Sequence, residues 1–191
     1  MSDYKFKGGK LKLKGGIKKT KPAAAKPTKR KPIDNLSTGV LVDDDTVSHG
    51  GWWRISNEVD IKAGSVAVEI QPHIYLASLD DGKFTTGGPT VEGEGPAPEE
   101  VFTLIKPPDS QTYFALKSGY DKYLSIQPGT GLLVATSDAV GPHERWELLI
   151  ENGKTALLAP NNKFLSSEPD EEGHIRASSS KASETEIINL S

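Results

Sequence analysis

Three stretches of this chain repeat one another, and no other feature constrains its fold as strongly. Val66-Ala67-Val68 through Tyr75-Leu76-Ala77 aligns without gaps on Phe114-Ala115-Leu116 through Tyr123-Leu124-Ser125, at an offset of 48. The second stretch aligns on Thr155-Ala156-Leu157 through Phe164-Leu165-Ser166, at an offset of 41. Each reads apolar or Thr, then Ala and another apolar residue, a polar turn, and finally aromatic-Leu-small. Gly-bearing turns follow at Asp80-Asp81-Gly82, Pro128-Gly129-Thr130-Gly131 and Asp170 to Gly173. Glycine there supplies the positive φ that tight hairpins need. An apolar residue comes next in each repeat (Phe84, Leu132/Leu133, Ile175). A last apolar cluster closes it, at Phe102, at Trp146 and at Ile188, each two positions after a glutamate: Glu100, Glu144 and Glu186.

Three repeats of about four short strands each predict an all-β chain folded as a β-trefoil with pseudo-threefold symmetry. One such repeat cannot bury its apolar face alone. Three around an axis close a small barrel and leave no free sheet edge. The repeats are expected at about 64–106, 112–151 and 153–191, within a trefoil domain of 50–191. Trp146 and Tyr123 are expected in the core, and Tyr75, Tyr123 and Phe164 as a core layer, because they recur with the apolar register. Trp52 and Trp53 are adjacent. On a strand they would point to opposite faces, one into the core and one toward a partner. The longest insertion is 86–100, with Gly87-Gly88-Pro89 and Gly95-Pro96-Ala97-Pro98. Long loops concentrate function, so Pro96 and Pro98 are candidate protein contacts. Lys117, Tyr120 and Lys122, in the turn after the second repeat's first strand, are candidates too, as are Trp52 and Trp53.

Charge divides the chain in two. Residues 1–31 hold 12 of the 23 Lys and Arg and a single acid, a net of +11; residues 32–191 carry a net of −14. The first segment is Lys, Gly, Pro and Ala with almost nothing to bury, so it is expected to be a disordered basic arm. Residues 32–49 read as a linker with an acidic step at Asp43-Asp44-Asp45. Lys10, Lys12, Lys14, Lys18, Lys19, Lys21, Lys29, Arg30 and Lys31 are the residues expected to contact RNA phosphates or to form a nuclear import signal. Lys18-Lys19 and Lys29-Arg30-Lys31 have the spacing of a two-cluster import signal. The acidic trefoil is expected to meet basic proteins rather than RNA.

Catalytic signatures do not surface. There is no cysteine, hence no disulfide and no Cys-bearing zinc site. Phosphate loops, nucleophile elbows and His-Glu-x-x-His are missing from the sequence. The four histidines are scattered and expected in exposed loops, and the carboxylates are expected in solvated turns. No cofactor and no metal are expected, and the chain reads as a non-enzyme. Its start, Met-Ser-Asp-Tyr-Lys, carries no apolar stretch, so no signal peptide is expected, and apolar runs of about four residues are too short to span a membrane.

Several motifs resemble the FSHD region gene 1 protein family. They are Gly51-Trp52-Trp53, Tyr75-Leu76 through Phe84-Thr85, Gly95-Pro96-Ala97-Pro98, Ala115 through Leu124, Ser137-Asp138-Ala139 through Trp146-Glu147, and Asn152-Gly153-Lys154 through Ala159. The resemblance covers about residues 50–191, and Leu11-Lys12-Leu13-Lys14-Gly15 before a Lys-rich arm is similar in kind. It implies a fascin-like β-trefoil in a nuclear and nucleolar protein of pre-mRNA splicing and RNA-processing ribonucleoproteins, present also in cytoplasm. F-actin binding and bundling is the alternative it implies. It implies as well a basic helical segment after the trefoil, which this chain, ending at Ser191, does not contain. A sugar-binding trefoil is the weakest reading.

Overall fold

The computed structural model describes residues 42–191; the basic arm and its nine Lys and Arg candidates lie outside them. Twelve antiparallel strands fall four to each repeat. The first repeat carries β1 (Gly64–Gln71), β2 (Ile74–Ser78), β3 (Phe84–Thr86) and β4 (Val101–Ile105). In the second, β5 (Tyr113–Lys117), β6 (Tyr123–Ile126), β7 (Leu133–Ser137) and β8 (Trp146–Glu151) follow. The third has β9 (Lys154–Leu158), β10 (Phe164–Leu165), β11 (Ala177–Ser179) and β12 (Asn189–Leu190).

The first and fourth strands of the repeats form a closed barrel. β1 pairs with β4, β4 with β5, β5 with β8, and β8 with β9. A bridge between Thr155 and Ile188 joins β9 to the last strand, and β12 returns to β1, with Val68 opposite Leu190. The second and third strands form three hairpins that cap the barrel and meet on its axis. Ile175 N–H donates to the Phe84 carbonyl (3.0 Å), and Leu133 N–H donates to the Ile175 carbonyl (3.0 Å). Phe84, Leu133 and Ile175 are all fully buried. This is a β-trefoil, as the repeats predict.

The core obeys the threefold register. Phe102, Trp146 and Ile188 stand at or beside the starts of the fourth strands, and Leu104, Leu148 and Leu190 follow two residues on; all six are buried. Trp146 also satisfies its indole, donating Nε1–H to the Leu124 carbonyl at 3.1 Å. The expected aromatic layer is corrected. Of the aromatic-Leu pairs, Leu76, Leu124 and Leu165 are fully buried, whereas Tyr123 and Phe164 are only partly so. Successive strand residues point to opposite faces, and the leucine takes the inner one. Tyr75 alone among the three aromatics is fully buried, and burial pushes its pKa up to about 12.

Each repeat turns its last corner in the same way. Short 3-10 turns at Pro98–Glu100, Pro142–Glu144 and Glu184–Glu186 precede β4, β8 and β12. The glutamate that ends each turn reaches back to the N–H that begins it. Ala97 N–H donates to Glu100 Oε2 at 2.7 Å, Gly141 N–H to Glu144 Oε2 at 2.8 Å, and Ser183 N–H to Glu186 Oε2 at 2.9 Å. All three carboxylates are buried, so the expectation that carboxylates sit in solvated turns fails here. A helical start leaves N–H donors unpaired, and a side-chain acceptor is the local remedy.

Candidate functional site

The first repeat carries a decoration that the other two lack. Helix α1 (Asp44–Ser48) begins at Asp43, whose Oδ1 accepts the Thr46 N–H at 2.7 Å. Thus the end of the stretch read as a linker, 43–49, is helix and cap. The acidic step is what starts it, because Asp43 is a capping residue and Asp44 and Asp45 sit in the first turn, where negative charge is favoured.

His49 ends the helix and is buried, against the expectation of exposed loop histidines. Its Nδ1 lies 2.7 Å from the Asp45 carbonyl and its Nε2 lies 2.9 Å from Glu69 Oε1. Burial opposes charge on His49, but the Asp45 carbonyl and the Glu69 carboxylate outweigh it and raise its pKa. The ring stacks on His73, with centroids 4.6 Å apart. Glu69, itself buried in β1, also accepts the His73 N–H (2.9 Å) and Asn189 Nδ2–H (2.8 Å), and Arg54 lies 3.5 Å from its Oε2. Burial disfavours its charge, yet those donors more than compensate and lower its pKa. Both its oxygens are committed to partners, so this carboxylate holds α1, β1 and β12 together rather than moving protons. Sequence reasoning missed this cluster. The available signal was a carboxylate at position 69 between Val66-Ala67-Val68 and Ile70.

The 86–100 insertion leans on the same feature. Gly93 N–H donates to the Ser48 carbonyl (2.7 Å), and Thr90 N–H donates to that of His73 (2.8 Å). A Cβ on Gly50, where φ is +64°, would fall 2.4 Å from Gly95 N, and one on Gly95 would fall 2.8 Å from Trp52 Nε1. Only glycine lets these two backbones touch. Trp52 is therefore half-buried against the insertion rather than in the barrel, and it lies in irregular chain, not on a strand. Pro96 is half-buried beside it and Pro98 is exposed. Trp53 is 50% exposed, Val47 59% and Val91 65%. Exposed apolar side chains thus stand on α1, on the segment after it and on the insertion. Around them Asp43, Asp44, Glu92 and Glu94 have no ion-pair partner among the described residues.

The remaining candidates lie in the second repeat. Lys117 pairs with Asp121 at 2.7 Å and lies 5.8 Å from the Tyr123 ring centre. Lys122 pairs with Asp138, and Tyr120 between them is 51% exposed. These three share one turn, whose Gly119 comes close to the Pro98 carbonyl of the insertion. Among the described residues no three histidines or carboxylates converge to hold a metal ion, and no helix is long and apolar enough to cross a membrane.

Comparison with known proteins agrees with the geometry. By structure the chain is similar to ThreeFoil, a designed threefold symmetric protein. The TM-score is 0.53 at 14% identity, over 66% of this chain and 96% of that one. It is similar as well to part of a mosquitocidal holotoxin, with a TM-score of 0.57 at 12% identity over 70% of this chain and 17% of that one. At such identities the likeness shows the trefoil fold alone. By sequence, a Caenorhabditis elegans "Protein FRG1 homolog" is 42% identical over 197 aligned positions, covering 99% of this chain and 70% of its own length. A Drosophila melanogaster "Protein FRG1 homolog" is 42% identical over 131 positions, 69% of this chain, which spans about half of that relative (48%). The family model of the FRG1-like domain matches residues 73–191, well over half of the chain. This protein belongs to the FRG1-like family.

Proposed function

We propose that this chain is a non-catalytic component of nuclear pre-mRNA splicing and RNA-processing ribonucleoproteins, in which the trefoil docks on proteins and the basic arm contacts RNA. The observation that carries the docking half is the rim on the first repeat. Trp53, Val47 and Val91 are exposed on segments that brace one another, and carboxylates with no ion pair among the described residues surround them. Exposed aromatic and aliphatic anchors within a charged border are what protein contacts use, and the acid selects a basic partner. The RNA half is supported by the net +11 of residues 1–31 against the net −14 of the rest. Phosphate neutralisation by such an arm is largely independent of sequence and weakens with salt. The nuclear setting follows from the family resemblance.

The actin alternative gains nothing from Lys117 and Lys122, because each already holds an aspartate.

The test is to purify the tagged chain from nuclear extract at moderate salt and sequence the RNA that stays bound. Spliceosomal small nuclear RNAs and intron-containing transcripts are expected. Trp53→Ala with Val91→Ala should release the particle while leaving direct RNA binding unchanged. Removing residues 1–31 should abolish most direct RNA affinity. If residues 42–191 bind RNA as tightly as the whole chain, the division of labour is wrong. Recovery of actin without those RNAs would put the cytoskeletal reading first.

A further inference from the structure

A cleft of about 350 Å³ separates the first repeat's hairpin turn from the second repeat's Ser118–Lys122 turn. Both walls are set by the fold. Leu79 N–H donates to the Lys83 carbonyl and Gly82 takes φ +79°, while its carbonyl accepts the Ala135 N–H from the neighbouring repeat (2.7 Å). On the other wall Ser118 N–H donates to the Lys122 carbonyl at 2.8 Å, and Asp121 takes φ +62°.

The other two repeats serve as internal controls. The residue equivalent to Asp121 is His73 in the first repeat (φ +57°) and Asn162 in the third (φ +58°), so the same turn occurs three times. Where the second repeat has Ser118, the others have Ile70 and Ala159; where it has Tyr120, they have Pro72 and Asn161. The fold therefore requires neither a hydroxyl nor an aromatic ring at these places. Yet Ser118 is 6% exposed and its Oγ is buried with no hydrogen-bond partner among the described residues. An apolar residue would avoid that cost. Tyr120 lines the same cleft and stays half-exposed.

Charge at the mouth narrows the occupant. Asp80 has no ion-pair partner among the described residues, and Asp81 has only Lys83, at 3.8 Å. Lys122, also in the lining, is committed to Asp138. The second repeat's hairpin turn carries no carboxylate at all. In the third repeat Asp170 is held by Arg176 at 2.5 Å. Among the described residues, only the junction of the first and second repeats combines carboxylates, an aromatic ring and an unpartnered hydroxyl over the apolar Leu79 and Ala135. An anion is repelled there, and a neutral apolar group leaves the carboxylates unused. An arginine side chain satisfies every element: its stem lies on Leu79 and Ala135, its planar cation stacks on Tyr120, and its donors meet Asp80, Asp81 and Ser118.

We propose that this cleft binds an arginine side chain from a basic segment of a partner protein. The inference rests on the docking reading above and names one contact within it. The experiment is a titration of the isotope-labelled full chain with acetyl-Gly-Arg-Gly-amide, followed by amide NMR shifts, with lysine and citrulline peptides as comparators. Shifts confined to residues 80–82, 118–122 and 135–136 are expected, strongest for arginine, weaker for lysine and least for citrulline. Tyr120→Ala should weaken binding at least fivefold and Asp80→Asn at least threefold, both at unchanged melting temperature because both side chains are exposed. Ser118→Ala, which copies Ala159, should fold and bind at least twofold more weakly. Equal shifts at the acidic turns 92–94 and 171–172, undiminished binding in Tyr120→Ala, or citrulline binding as well as arginine would overturn the proposal. Because the titration uses no nuclear particle, such a result removes the cleft and leaves the docking reading to the purification test.

Discussion

Glu100 and Glu186 occupy the same corner of the first and third repeats, and their surroundings push their carboxyls in opposite directions. Each is buried, and each accepts the N–H three residues before it. Around Glu100, burial raises the pKa, and although the Ala97 N–H pulls it down, neighbouring Glu99 adds to the rise. Around Glu186, burial also acts upward, but the Ser183 hydroxyl and N–H and the Thr185 hydroxyl outweigh it, so the pKa falls. Two side chains separate the corners: Ser183 stands where the first repeat has Ala97, and Thr185, whose hydroxyl donates to Glu186 Oε1, stands where it has Glu99. Ser183 donates through both its N–H and its hydroxyl; Ala97 has only the N–H. The corner demands an acceptor. Whether a charge on that acceptor helps or hurts depends on its neighbours.

Removing the acceptor should have the largest effect. Glu186→Ala strands a part-buried N–H and two hydroxyls, and should cost about 2–3 kcal/mol by urea unfolding at pH 7. That corresponds to roughly 5–10 °C in melting temperature for a domain of this size. Keeping the acceptor but not the charge should split the corners. Glu186→Gln should cost about 1–2 kcal/mol, whereas Glu100→Gln should leave stability unchanged or raise it. Equal losses from both would show that charge at this corner acts alike in the two repeats.

The pH dependence carries the same contrast with opposite signs. A carboxyl whose folded pKa is depressed, as at Glu186, adds stability above its unfolded value of about 4.3 and loses it as pH falls through the lower folded pKa. Glu100 has the raised value. It therefore costs stability at neutral pH, and that cost disappears as pH falls through its folded pKa toward the unfolded one. Urea series from pH 7 to pH 3 should thus show the deficit of Glu186→Gln and any advantage of Glu100→Gln both shrinking toward zero. The smallest effect sharpens the cause. Ala97→Ser copies the third repeat's hydroxyl into the first and should gain up to about 1 kcal/mol. In a double-mutant cycle that gain should shrink with Glu100→Gln, which keeps a neutral acceptor, and vanish with Glu100→Ala.

The repeats were legible because hairpin glycines and alternating apolar residues leave a register that survives divergence. That register placed four strands in each repeat and picked Trp146 for the core. It also marked Glu100, Glu144 and Glu186 as recurring, without revealing that they face inward to cap. It misassigned the inner face at Tyr123 and Phe164, since an aromatic next to a leucine does not say which of the two turns in. Helix α1 was illegible for another reason. Five residues with no apolar stripe carry no periodic signal, and the hold on them comes from Glu69, 20 positions away from His49. The cleft at Tyr120 was hidden likewise, because its walls come from different repeats. Nothing local in either turn announces the other.

The seam of the barrel has a consequence for the order of events during synthesis. Asn189 donates to Glu69 across 120 positions of chain, and Val68 faces Leu190. As the chain leaves the ribosome, β1 is the first strand out, and it waits for β12 until the ten strands between them have been made. Through that interval one side of an apolar strand is open to strangers, and strand edges of that kind invite pairing with other chains. Ring closure is also slow, since it joins such distant residues. Newborn chains are thus most vulnerable until β12 has emerged, and a stop or frameshift that removes β12 leaves the ring unsealed.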